Sequence, residues 1–183
     1  SGRADRVLAG GVDALLTVGV SASFARMEAM STRFYDPRGS SRPFDVGRDG
    51  FVLAEGAAFF VLERSSDSST GLGRILGYAT NSDAHHIVAP PERGDGAARC
   101  MVAALEDAGL DVSDIGHVNA HGTSTLRNDL SEAFAINDEF GPRAVPVTSS
   151  KGVLGHSIGA AGAIEALITM ESNRHGLVPP TAN

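Results

Sequence analysis

Apolar positions change their period along the chain. Arg6 to Gly11 is a short apolar run closed by paired glycines, which predicts a buried strand, and Phe24, Met27 and Met30 recur at near-helical spacing, which predicts a helix over Ala22–Met30. Ser31 to Gly50 is rich in Ser, Arg, Pro, Asp and Gly, too polar and broken for a regular element; loops of such length are usually functional or disordered. Phe51–Arg64 reads as a strand with a central Gly56 and Arg74–Thr80 as another. The serine-rich stretch Ser65–Thr70 between them marks a boundary, dividing the chain into 1–65 and 66–183. Beyond it, Met101, Val102, Leu105 and Ala108 share one face of a helix over Asp95–Ala108 that Gly109 terminates. Ile115–Ala120 and Ala144–Thr148 read as strands, Leu130–Phe140 and Ile158–Met170 as helices. Strands alternating with helices imply an α/β fold with a largely parallel sheet, whose reactive groups sit at the carboxyl ends of the strands.

Composition narrows the function. The 183 residues are 42% hydrophobic and 20% charged, a globular balance. Fifteen Lys and Arg against 22 Asp and Glu leave a net charge of −7, which argues against nucleic acid as a partner. The longest purely apolar run, Ala57–Leu62, is far short of the ~20 residues of a membrane helix, so a cytoplasmic protein without a membrane partner is expected. One cysteine, Cys100, rules out an internal disulfide and a multi-cysteine zinc site, and no metal is expected. Cys100 falls within a helix and reads as a structural thiol. The first residue is Ser1 and an apolar run follows almost at once, so the chain is expected to start partway into a domain.

Two segments carry chemistry. Asn119-Ala120-His121-Gly122-Thr123-Ser124-Thr125 follows a predicted strand and places an imidazole where ligands bind in this architecture. It reads equally as a turn whose hydroxyls cap the next helix. Thr148-Ser149-Ser150-Lys151-Gly152-Val153-Leu154-Gly155-His156 leads into a helix, and close packing of small residues explains Ala160 to Ala163 but not Lys151 and His156. Gly155-His156-Ser157-Ile158-Gly159 also fits the G-x-S-x-G nucleophile elbow of serine hydrolases. After Ser157 the chain offers only His175, eighteen residues on, and as acids only Glu165 and Glu171, both in the helix the elbow starts.

At these segments the chain resembles the β-ketoacyl synthases, the condensing enzymes of fatty-acid and polyketide synthesis. Four blocks carry the likeness: Leu8 to Ala14; Arg42-Pro43-Phe44-Asp45 with Arg48-Asp49-Gly50-Phe51 and Glu55-Gly56-Ala57; Asn119 to Thr125; and Lys151 to Glu165, followed by Pro179-Pro180-Thr181. The resemblance implies a thiolase-like, layered α-β-α-β-α architecture, of which this chain covers the end of the first half and most of the second, cut at both ends. It implies that an acylated cysteine, expected before Ser1, is attacked by a carbanion formed when a malonyl thioester on acyl carrier protein loses CO₂. His121 and His156 then form the catalytic pair with Lys151, Thr123 and Thr125 bind the pantetheine arm, and Phe51 lies close to the reaction centre. Asn119, Glu132 and Glu165 gather around a buried water or monovalent cation; as ordinary residues, both glutamates read as helix-surface carboxylates. No cofactor is implied beyond the carrier's phosphopantetheine arm, and the intact parent is expected to be a homodimer. A glycine-rich oxyanion loop is expected after Asn183, and the polypeptide alone to lack condensing activity. Arg33, Arg38 and Arg42 are candidate contacts for the acidic carrier. His85, His86, His117 and His175 read as loop or surface histidines. The alternatives are a non-catalytic partner of a condensing subunit and a hydrolase using Ser157.

Overall fold

The computed structural model describes residues 4–64 and 71–183, so the boundary expected at Ser65–Thr70 lies outside the described residues. Strand β1 (Arg6–Asp13) pairs antiparallel with β2 (Gly56–Glu63), in a register running from Arg6 opposite Glu63 to Asp13 opposite Gly56. This corrects the largely parallel sheet expected: α1 (Val18–Arg26) and the long loop after it bring the chain back past β1 in the opposite direction. One face of the pair packs on α5 (Ala161–His175) and the 3-10 turn Ile158–Ala160. A Cβ at Gly11 would lie 2.5 Å from the Gly159 carbonyl oxygen, so only glycine permits that approach. The other face leaves Leu8, Val12, Phe59 and Val61 exposed.

The second sheet is parallel, as the alternation of strand and helix implies. Strand β3 (Val118–Asn119) lies beside β4 (Val147–Thr148), and the pairing continues through Ala120 N–H to the Thr148 carbonyl at 2.8 Å. Between them runs α3 (Leu126–Phe140), packed on α2 (Asp95–Ala108), and after β4 comes one helical turn, α4 (Lys151–Leu154). Helix α2 has the predicted bounds, with Gly109 in the left-handed conformation as its stop.

Elsewhere tertiary pairing overrides local pattern. Helix α1 starts at Val18 rather than Ala22, behind the Thr17 cap, and stops at Arg26. It stops because Ala29 and Ser31 exchange hydrogen bonds with Phe51: Phe51 N–H donates to the Ala29 carbonyl at 3.0 Å and Ser31 N–H to the Phe51 carbonyl at 2.9 Å. The strand expected over Phe51–Arg64 is thereby split, Phe51 and Leu53 making isolated bridges to Met30 and His156 before β2 begins at Gly56. Arg74–Thr80 is irregular; strand-forming residues build no ladder without a neighbouring strand, and Tyr78 N–H instead donates to Asp107. Helix α3 begins four residues before Leu130, α5 runs on to His175, and α4 is an element the apolar pattern did not announce.

The interior is unusually polar. Phe51, Leu53, Ala120, Ala135, Ile136, Val145 and Ala160 are buried, yet the largest fully buried side chains among the described residues are Lys151, Asp129, Ser124 and Ser149. Polar groups are tolerated there only when hydrogen-bonded, so their network marks a site.

Candidate active site

Three loops converge. The first, His121–Thr125, leaves β3, turns at Gly122 with φ +38° and becomes α3. A Cβ at Gly122 would meet Ser149 Cβ at 2.5 Å. Glu132, two turns into α3, reaches back to accept N–H bonds from His121 at 2.6 Å and Gly122 at 2.8 Å. The second loop holds Lys151 and His156, and the 51–54 segment grips it from the side: His156 N–H donates to the Val52 carbonyl at 2.7 Å and Ala54 N–H to the His156 carbonyl at 3.0 Å.

The third is the loop of residues 31–50, whose polar side chains are consumed in holding the first two together. Asp129, 1% exposed, accepts N–H bonds from Phe44 at 2.8 Å and Ser124 at 3.1 Å, with Arg48 at 3.7 Å. Arg48 also donates to the Thr125 and Leu126 carbonyls, and Ser41 Oγ to the Lys151 carbonyl at 2.6 Å. Sequence reasoning missed Asp129, Arg48 and Ser41; an acidic residue in the first turn after His-Gly-Thr-Ser-Thr was the available signal. Two of the arginines expected to face a carrier are committed within this loop. Arg33 donates to Tyr35 and to the Gly47 carbonyl, and Arg42 to the Gly39 carbonyl and to Asp45, whereas Arg38 is exposed.

The residues expected to be catalytic come together. The His121 and His156 rings meet edge to face, 5.1 Å between centroids at 83°. Phe51 lies against His156 at 5.3 Å and 77°, with Phe24 behind it at 5.4 Å. Lys151 is 2% exposed, and its ammonium has three acceptors for its three donors: the Glu165 carboxylate, the His121 carbonyl at 2.5 Å and His121 Nδ1 at 3.4 Å. His156 Nδ1 accepts the Ile158 N–H at 3.2 Å. Both Nδ1 atoms therefore act as acceptors, which leaves the proton of each neutral ring on Nε2.

Electrostatics keeps both rings neutral. Burial, then the charge of Lys151 and then His156, pulls His121 from 6.5 down to about 3; burial and then Lys151 bring His156 to about 4. His121 is exposed as a residue, with its Nδ1 turned to the Lys151 ammonium. Burial raises Glu132 against the opposing N–H bonds of Gly122 and His121, and raises Glu165 against Lys151.

The remaining expected residues fall as follows. Thr123 Oγ1 and Thr125 Oγ1 hydrogen-bond one another at 2.8 Å beside His121. Asn119 Nδ2 donates to the Glu165 carbonyl at 3.0 Å and to Thr169 at 2.9 Å, while its buried Oδ1 has no partner. Glu132 turns both oxygens to backbone N–H groups, and among the described residues no group of three or more His, Cys, Asp or Glu is disposed to hold a metal ion. His117 is not a surface histidine: it is half-buried, lowered by burial, with Nε2 2.7 Å from Thr148 Oγ1 because β3 and β4 run side by side. Cys100 is half-buried on α2 with Sγ 3.4 Å from the Ala79 carbonyl.

The hydrolase reading fails on geometry. Ser157 is buried ahead of α5, whereas His175, paired with Glu171 at 3.4 Å, ends that 15-residue helix, roughly 20 Å away at 1.5 Å per residue. Among the described residues no helix is long and apolar enough to cross a membrane.

Comparison with known proteins identifies the family. The family profile described as the β-ketoacyl synthase C-terminal domain matches residues 72–183, and that of the N-terminal domain matches residues 1–68. A 3-oxoacyl-[acyl-carrier-protein] synthase 2 from Mycobacterium tuberculosis is 42% identical over 187 residues, covering 100% of this chain and 45% of the relative; one from Vibrio cholerae is 42% identical over 189 residues, covering 100% and 46%. This chain thus spans a little under half the length of those relatives. A solved β-ketoacyl synthase from Burkholderia phymatum superposes with a TM-score of 0.89 at 42% identity, over 95% of this chain and 43% of that one. A type II polyketide ketosynthase, solved with its acyl-carrier protein, superposes with a TM-score of 0.89 at 34% identity, over 93% and 44%. These neighbours place the chain in the thiolase-like fold of the ketosynthases, and by sequence and fold it belongs to the β-ketoacyl synthase family.

Proposed function

We propose that the protein of which this chain is part condenses an acyl thioester with a malonyl thioester, releasing CO₂, and that His121, His156 and Lys151 carry out the decarboxylation. The observation that carries this reading is the perpendicular histidine pair with both Nδ1 atoms occupied, so that each ring presents an Nε2–H donor. When the carboxylate leaves as CO₂, the electron pair of the broken C–C bond moves onto the thioester carbonyl, giving an enolate oxygen. Two neutral N–H donors stabilise that oxygen without giving up a proton to it. The enolate carbon then attacks the acyl thioester on a cysteine supplied from outside this chain, forming the new C–C bond and expelling the cysteine thiolate.

Lys151 holds His121 in its tautomer and supplies a nearby positive charge, and Glu165 balances that charge. Thr123 and Thr125 supply a hydroxyl pair to grip the amide groups of a phosphopantetheine arm. Acyl carrier protein is the partner this chemistry requires, and a ketosynthase of related structure has been solved with one. A cytoplasmic homodimer in fatty-acid or polyketide synthesis is the setting consistent with the reading.

The test is a pair of single-turnover assays. His121→Ala or His156→Ala lowers CO₂ release from malonyl carrier protein about 10²–10³-fold, or about 2.7–4 kcal/mol, while acyl transfer to the cysteine stays measurable. Ser157→Ala leaves both steps near normal. Severe loss in the serine variant with normal histidine variants would overturn the assignment.

A further inference from the structure

Ile158 is a β-branched residue at φ +43°, a left-handed conformation such residues rarely adopt. Its N–H, in the peptide plane that enters this strained residue, donates to His156 Nδ1. The strain persists only because the surrounding chain is pinned. Upstream, His156 N–H is held by Val52 and its carbonyl by Ala54; downstream, Ala160 N–H bonds the Ser157 carbonyl. Directly after Ile158, the Gly159 N–H donates to Asp13 Oδ2 at 2.7 Å. Asp13 is the half-buried last residue of β1, opposite Gly56, and its one side-chain hydrogen bond among those described is to Gly159, not to either histidine. It is thus the one side-chain anchor, among the hydrogen bonds described, on the turn that orients the His156 ring.

We infer that Asp13 is a positioning residue: by holding Gly159 it pins the turn of residues 157–159 and with it the Ser157–Ile158 peptide plane, whose N–H meets His156 Nδ1 and keeps the ring proton on Nε2. Without that anchor the strained turn relaxes by shifting the Ser157–Ile158 peptide, the N–H moves off Nδ1, and the ring samples both tautomers. A ring protonated on Nδ1 presents a lone pair, not a donor, to the developing enolate oxygen. The inference rests on the proposed role of His156, but its primary readout does not.

The experiment uses the intact protein labelled with ¹⁵N-histidine. NMR at neutral pH reports the His156 tautomer directly, and decarboxylation kinetics follow in parallel. Asp13→Ala is expected to shift His156 from the Nε2–H form to a mixture and to lower kcat for decarboxylation about 10–100-fold with little change in KM, as losses of outer partners that orient imidazoles commonly do. Asp13→Asn keeps an acceptor oxygen and restores both. Gly159→Ala is the independent variant should Asp13→Ala fail to fold: its Cβ would lie 2.7 Å from Asp13 Oδ2, displacing the carboxylate and reproducing the tautomer shift. An unchanged His156 tautomer in a folded Asp13→Ala or Gly159→Ala variant overturns the inference. A shifted tautomer with unchanged decarboxylation supports the positioning role and counts instead against the proposed function.

Discussion

Replacing Lys151 by Met exposes how much of the fold depends on one buried charge. The substitution keeps the apolar length of the side chain and removes the ammonium that serves Glu165, the His121 carbonyl and His121 Nδ1. Glu165 is then left without its countercharge at a position where burial already raises its pKa. Breaking a buried pair by deleting one partner typically costs about 3–5 kcal/mol. For a domain of this size each kcal/mol lowers Tm by about 2–4 °C, so a drop of about 6–20 °C is expected at neutral pH. The loss should depend on pH with a definite sign. Removing Lys151 raises Glu165 further above its unfolded value of 4.5, so the variant keeps its stability below that value and loses it as pH rises through the raised folded value. The gap between variant and wild type therefore narrows on acidification. It narrows further because His121 and His156 no longer feel the lysine charge that lowers them. Adding Glu165→Leu removes the orphaned carboxylate and recovers most of the loss, leaving about 1–3 kcal/mol for the unpaired His121 carbonyl. Urea titrations of the single and double variants at pH 7.5 and 4.5 measure all of this. A single variant within about 1 kcal/mol of wild type, or a double variant no more stable than the single, would refute the reasoning.

Two further outcomes follow from the same network. Glu132→Ala strands the buried Gly122 N–H, at about 1–3 kcal/mol, and takes the partner from the more exposed His121 N–H, and Glu132→Gln, keeping one acceptor oxygen, recovers roughly half of the loss in thermal denaturation. In wild type, His121 and His156 titrate at about 3 and about 4 in the fold against 6.5 unfolded, so the stability they contribute is complete above pH 6.5 and lost as pH falls through 4 towards 3. Urea midpoints measured across that window should fall steadily and should flatten in the His156→Ala variant; a flat wild-type profile between pH 6.5 and 4 contradicts the neutral-pair geometry.

The parts of the fold legible in the sequence are those in which neighbours along the chain decide the outcome. Helix α2 is such a part: its apolar face recurs at helical period and Gly109 stops it, so its bounds follow without a partner. The order and spacing of the four blocks from Leu8 to Glu165 carried the family likeness for a related reason: each holds chemistry within a few consecutive residues. Segments decided by distant partners were misread. Arg74–Thr80 has strand-forming residues and, among the described residues, no strand beside it, and Phe51–Arg64 is divided between Met30, His156 and β1.

Residue type and spacing determined by themselves that two histidines and a lysine lie on segments that follow strands, and that the long loop from Ser31 to Gly50 is no regular element. Only the tertiary structure decided which atoms face each other. Asp129 meets Phe44 across 85 positions and Ser41 meets Lys151 across 110, through side-chain bonds to backbone that leave no period to read. The neutrality of the rings, their tautomers and the isolation of Ser157 from His175 are likewise set by burial and by distances of a few ångströms. Such distances exist only once β3, β4 and the segment of residues 51–54 have brought their loops together, because desolvation and Coulomb interaction depend on separation in space and not along the chain.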